Sequence, residues 1–207
     1  MRRCRMWILV AGLAAFTGCE PEPVATPVAP APAKTTPAAS SGGKPADGTP
    51  LTDATLLKGL QGITFMAPAG WKSVPVSGNI PEAEFALPHV DGDTYDGRLT
   101  LMSAQSGLEE NTARWKSEFI AGEDPKIEKI SVDGAEATLV DLRGEWKGTS
   151  FRPIDPPRPE HRLISVYIPF KGSQAYYVKV TGPKATIAAH EAALRAFVKS
   201  GRFKPEE

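Results

Sequence analysis

The sequence predicts an α+β domain, a mostly antiparallel β-sheet covered by helices on both faces, preceded by a leader and a disordered linker. Three observations predict it. Short segments alternate polar and apolar residues and are joined by tight turns. Two further strand-like segments are apolar on both faces. Two stripes of helical period stand one in the middle and one near the end of the chain.

Taken in order, residues 1–18 read as a lipoprotein signal peptide. Arg2, Arg3 and Arg5 precede the apolar run Met6–Phe16, and the run ends in small residues, the order of a secretory leader. The run is too short to cross a bilayer, which needs roughly 20 residues. Phe16-Thr17-Gly18-Cys19 resembles a bacterial lipobox. That resemblance implies cleavage after Gly18 and acylation of the Cys19 sulfur and of the new amino terminus. Several acyl chains give lasting attachment where one holds only marginally. An ordinary signal peptide with an incidental cysteine is the alternative. Glu20 follows Cys19 where inner-membrane retention uses Asp, so outer-membrane sorting is compatible with the sequence.

Residues 19–50 then form the lipidated cysteine and a Pro/Ala-rich linker. From Glu20 to Pro50 there is no aromatic residue, and Val24 and Val28 are the only larger aliphatics. Such a stretch buries too little apolar surface to offset its ordering entropy and is expected to be disordered. In polyproline geometry it would reach about 100 Å, as a relaxed coil nearer 30 Å. Its expected role is to hold a globular head away from a lipid surface.

The head occupies residues 51–207. Glu82 to Leu87 alternates as a half-buried strand, and Arg98 to Ala104 does likewise with Leu99 and Leu101 on one face. Asp133-Gly134 between two strand-like runs signals a hairpin. Thr138 to Leu142 and Leu163 to Ile168 carry apolar residues on both faces and need cover on both. A first helix is expected from a capping box at Ser106-Gly107-Leu108-Glu109, with Leu108, Trp115 and Phe119 as its stripe. A second is expected to start at Pro183, to bury Ile187, Leu194, Phe197 and Val198, and to end near Gly201. The order of strands, helix, strands, helix with tight turns favours an antiparallel sheet over βαβ units.

Phe65-Met66-Ala67-Pro68-Ala69-Gly70-Trp71 resembles the opening of PsbP-like domains, where a first strand runs into a Pro-x-Gly-Trp turn. The string from Ser77 to Pro88 and Thr181-Gly182-Pro183-Lys184 are similar to a group of uncharacterised bacterial lipoproteins. The resemblance covers most of residues 60–203. It implies an antiparallel sheet sandwiched by helices, a fold that serves as a non-enzymatic photosystem accessory subunit and as an import factor binding a GTPase. No binding motif of those partners matches here residue by residue.

Charge and cysteine content narrow the chemistry. The chain has 24 basic and 24 acidic residues; without the three leader arginines the remainder is mildly acidic, which argues against a nucleic-acid partner. With Cys4 in the leader and Cys19 acylated, the mature chain has no thiolate nucleophile or cysteine metal ligand. No Gly-x-Ser-x-Gly and no phosphate-binding glycine loop is present, so no catalytic residue, metal or cofactor is assigned.

Three histidines remain. His190 falls near the apolar stripe of the second helix and reads as a packed residue. His89 opens a segment, Asp91-Gly92-Asp93-Thr94-Tyr95-Asp96-Gly97, rich in oxygen ligands; it lacks the spacing and the final Glu of a calcium loop and reads as an inter-strand loop. His161 follows a proline-rich insertion between strands, Phe151 to Glu160. There Arg152, Arg158 and His161, with Arg162, are candidate ligand-binding residues, a small cationic patch for a carboxylate, phosphate or acidic sugar. A solvated loop whose prolines suppress edge pairing is the alternative. The reading is an envelope lipoprotein, partnered by the bilayer through Cys19, that acts as a binding or accessory domain for an envelope protein or small anion. An envelope hydrolase with a carboxylate or His161 site is the runner-up.

Overall fold

The computed structural model describes residues 48–57, 60–76, 80–170, 172 and 174–205. The leader, Cys19 and nearly all of the linker lie outside the described residues, as do Ser77, Gly78 and Asn79. The described elements are β1 (Thr49–Pro50), β2 (Thr55–Leu57), β3 (Ile63–Ala67), β4 (Lys72–Val74), β5 (Ala83–Leu87) and β6 (Gly97–Ala104), then α1 (Leu108–Lys116). After it come β7 (Phe119–Gly122), β8 (Lys126–Val132), β9 (Ala135–Thr149), β10 (Arg152–Pro169), β11 (Ala175–Pro183), α2 (Lys184–Lys199) and β12 (Arg202–Phe203).

Every strand pair among them is antiparallel. The main sheet runs β1-β4-β5-β6-β11-β10-β9-β7, with β8 alongside the first half of β9; a smaller sheet runs β12-β3-β2. Thr49 and Pro50, expected in the linker, pair with Ser73 and Lys72 at the sheet edge. The Asp133-Gly134 turn joins β8 to β9 with φ of 48° and 82°, the doubly left-handed geometry that suits the twist of a hairpin.

Side-chain alternation along the central strands sorts the core into two clusters. Tyr176, Val178 and Val180 of β11 and Ile164, Val166 and Ile168 of β10 join Ile187, Leu194, Phe197 and Val198 of α2. The intervening Ala175, Tyr177 and Leu163 instead join Trp115 of α1, Phe119, Val140 and Leu142. Because successive side chains in a strand point to opposite faces, these clusters occupy the two faces of the sheet. Trp71, at the Gly-Trp turn after β3, is buried against Phe85 and Phe197. Its indole N–H donates to His190 Nδ1 at 3.3 Å, while His190 Nε2 lies 2.9 Å from the Pro88 carbonyl, so that histidine is a packed core partner.

A buried ionic network fastens α2 to the sheet. Arg162 donates two parallel hydrogen bonds to Asp141, both at 2.9 Å, and reaches Glu191 of α2 at 2.8 Å. Arg143 adds a bond to Asp141 at 2.7 Å, and Arg195 of α2 links Glu191 to Glu128 of β8. Burial alone would raise the Asp141 pKa, but the donors from Arg162 and Arg143 outweigh it and hold the carboxyl below its usual range.

Three local expectations change. The start of α1 has Gly107 at the cap with no side-chain cap, so the capping box from Ser106 does not form. Ser106 lies one residue too early, and its hydroxyl and carbonyl accept from the Asn111 amide at 3.0 and 3.3 Å. The helix also ends at Lys116, where the Ser117 hydroxyl takes the Arg114 carbonyl, so Phe119 reaches the Trp115 cluster from β7. The proline-rich insertion is not a free loop: β10 runs through it from Arg152, with register shifts on either side of Arg158 where prolines cannot donate to the ladder.

Candidate functional site

The two core clusters are joined by helices of unequal length. Helix α2 is 16 residues long and α1 is 9, and α1 lies toward the β7–β9 end of its face. Between α1 and strands β6 and β11 a cavity of about 650 Å³ remains. It is lined by Met102 and Ala104 of β6, Trp115 of α1, Tyr177 of β11, and Ser150 and Phe151 at the tip of the β9–β10 hairpin. Phe151 is 90% exposed and Ile80, on the rim, 72%. An apolar cavity of this size falls in the range of small-molecule sites.

The polar groups of this groove are largely paired with one another. Lys179 projects from β11 between its cross-strand neighbours Thr100 and Ser165, and its ammonium donates to Glu118 at 3.1 and 3.3 Å. The Trp146 indole donates to the same carboxylate at 3.2 Å. Burial lowers the Lys179 pKa, and the Glu118 carboxylate opposes part of that fall. Asn111 is buried; its amide donates to the Tyr177 hydroxyl at 2.8 Å, and its carbonyl oxygen accepts from Arg114. Arg114 and Lys147 also line the groove, and both are exposed.

The sequence-predicted residues gather elsewhere on the sheet, and only in part. A second cavity of about 200 Å³ is lined by Glu84, Tyr95, Arg98, Trp146, Arg158 and His161. Arg98 makes a forked pair with Glu84 at 2.7 and 2.8 Å. The Arg158 guanidinium lies 4.1 Å from the centre of the Tyr95 ring. Arg152 does not line this cavity; it stands beyond the bulged segment at the hairpin tip.

His161 supplies no cation to a patch. It is 1% exposed, its ring stacks on Trp146 at 4.3 Å and 6°, and its Nδ1 lies 3.1 Å from the Tyr95 hydroxyl. Burial, helped by the positive charges of Arg158 and Lys179, pushes its pKa down to about 3, so the ring is neutral at ordinary pH. Its Nε2 is buried without a hydrogen-bond partner among the described residues, as is the Ser165 hydroxyl. Arg162 points to the other face, into the Asp141 and Glu191 network.

The Asp-rich loop that invited a calcium reading has protein partners. Asp93 accepts from the backbone N–H of Thr186 at 2.9 Å and from its hydroxyl at 2.5 Å, capping the first turn of α2 from a distant loop. Asp96 accepts from His89 and Lys72. Among the described residues no group of three or more His, Cys, Asp or Glu side chains is placed to hold a metal. The groove residues Asn111, Arg114, Lys147, Phe151, Tyr177 and Lys179 were not singled out by sequence reasoning. Lys179 alone carried a signal, a charge on the inward rhythm of an otherwise apolar strand.

No family model matches the chain, and no curated protein matches it. Solved structures similar to it include PA94, a protein of unknown function from Pseudomonas aeruginosa proposed to be a regulator (18% identity, 74% of this chain and 99% of that one, TM-score 0.46). They also include the cyanobacterial PsbP, CyanoP, of Synechocystis sp. PCC 6803 (12%, 74% and 94%, TM-score 0.48). A third is the Ran-binding protein Mog1p of Saccharomyces cerevisiae (10%, 73% and 96%, TM-score 0.47).

The buried neutral state of His161 has a consequence for acid stability. Between pH 6.5 and about 3 the unfolded chain binds a proton at this ring that the folded chain does not, so stability falls as pH falls through that window. Replacing His161 with Gln removes this contribution. From pH 6.5 to 4.5 the urea-derived stability of His161→Gln is expected to drop less than that of the parent, by about 2–3 kcal/mol. Equal losses in the two proteins would contradict the assignment.

Proposed function

We propose that this protein is a non-enzymatic binding or accessory domain, held on the periplasmic side of an envelope membrane by acylated Cys19. Its ligand enters the groove between α1 and strands β6 and β11. The observation that carries the reading is that groove: an apolar cavity of about 650 Å³, open on the face that the shorter helix leaves uncovered. The arrangement we favour for the head is a PsbP-like sandwich with one helix on each face of the antiparallel sheet; the division of the core into an α2 cluster and an α1 cluster supports it. The lipobox-like ending of the leader supports the anchor, and the linker supplies the distance between membrane and head.

The hydrolase alternative has less support. His161 is neutral, its hydrogen-bonding partner is the Tyr95 hydroxyl and not a carboxylate, and it lies beside the smaller cavity. A base of such low affinity for protons is a poor general base near neutrality.

Two experiments bear on the proposal. Ala104→Trp places an indole in the groove. It is expected to abolish the fluorescence enhancement of 1-anilinonaphthalene-8-sulfonate while leaving the urea midpoint within experimental error; unchanged enhancement would remove the groove from the account. Cys19→Ala is expected to move the protein from the membrane to the soluble fraction, and unchanged fractionation would count against acylation.

A further inference from the structure

The groove has a direction. Its apolar lining includes Met102, Ala104, Trp115 and Tyr177, and its one carboxylate, the buried Glu118, is already matched by Lys179 and by the Trp146 indole. At the rim stand Arg114 and Lys147. Among the described residues neither makes an ion pair; the Arg114 side chain bonds to the Asn111 carbonyl oxygen. Phe151 and Ile80 flank the same rim with their apolar surface in solvent. The groove therefore offers apolar contact inside, two cations at the edge, and aromatic surface that only a bound body would cover.

We infer that the ligand is a small amphipathic anion, a single apolar chain or ring system lying on Trp115 and Tyr177 with a carboxylate-type head group held between Arg114 and Lys147. The inference rests on the groove being the binding site and adds the chemical class. Charge complementarity selects the sign: an anion gains charge-assisted hydrogen bonds from Arg114 and Lys147, whereas a cation meets two like charges and finds Glu118 occupied. The cavity volume suits a body of drug-like size and not a folded partner.

The test uses the full chain carrying Phe151→Trp as a fluorescent reporter, titrated below micellar concentrations with decanoate, 1-decanol and decyltrimethylammonium. Decanoate is expected to bind and shift the reporter emission to the blue, with at least about tenfold preference over decyltrimethylammonium. Arg114→Gln combined with Lys147→Gln is expected to erase that preference and leave decanol binding unchanged. Equal affinity for all three probes, or a preference that survives the double variant, would overturn the anion while leaving the groove intact. Binding to phosphatidylglycerol vesicles with none to decanoate would also overturn it, in favour of a membrane-docking face. If no probe binds and Ala104→Trp has no effect on any of them, the groove itself fails.

Discussion

Strands β9, β10 and β11 send alternate side chains to both faces of the sheet, and among the described residues only one helix, α2, is long. Burying Val166, Val178 and their neighbours under α2 satisfies one face. The other receives Trp115 and Leu108 from a helix just over half as long, with Phe119 arriving from a strand. Apolar side chains on that face, Met102 and Ala104 among them, are left partly uncovered, and this incomplete cover creates the groove. Contiguous exposed apolar patches are uncommon on soluble domains, and larger ones are often functional.

Electrostatics separates the two faces. The α2 face has its ions deep and matched, with the Arg162 fork on Asp141 linking strand to strand and Glu191 carrying the network to the helix. Removing one member would strand a buried charge, which is far more costly than the pair is stabilising. On the α1 face Glu118 and Lys179 are matched inside, while the cations at the rim are not. The ions packed beside α2 are thus matched, while Arg114 and Lys147 near α1 are exposed and make no ion pair among the described residues. His161 belongs to neither pattern. It is a neutral aromatic slab between Tyr95 and Trp146, and its stacking helps to fix the Trp146 ring whose N–H steadies Glu118.

Much of the fold was legible because its signals are local. Leu99 and Leu101 on one side of β6, Asp133-Gly134 in the hairpin, and the stripe of Ile187, Leu194, Phe197 and Val198 all announce themselves within a few residues. The start of α1 was misread because Ser106 has the chemistry of a cap but the position of the residue before one, and because Asn111 competes for it. The proline-rich segment reads as an insertion between strands, yet prolines forbid donation but not extension, and β10 passes through on bulges. The groove was not legible at all: Met102, Asn111, Trp115, Lys147, Phe151 and Tyr177 come from four separate stretches, and nothing in their spacing says that they meet. His161 was noticed for its chemistry, but its burial, which makes it neutral, depends on Trp146 and Tyr95, far away in the chain.

The central claim is that a ligand enters the open part of the α1 face. The most direct measurement is a set of two-dimensional amide spectra of the isotope-labelled protein, recorded with and without decanoate. The account predicts shifts confined to Met102–Ser106, Asn111–Glu118, Lys147–Pro153 and Tyr177–Lys179, with α2 and the strand residues facing it silent. Shifts centred on α2, or none in the groove at saturating decanoate, would contradict it.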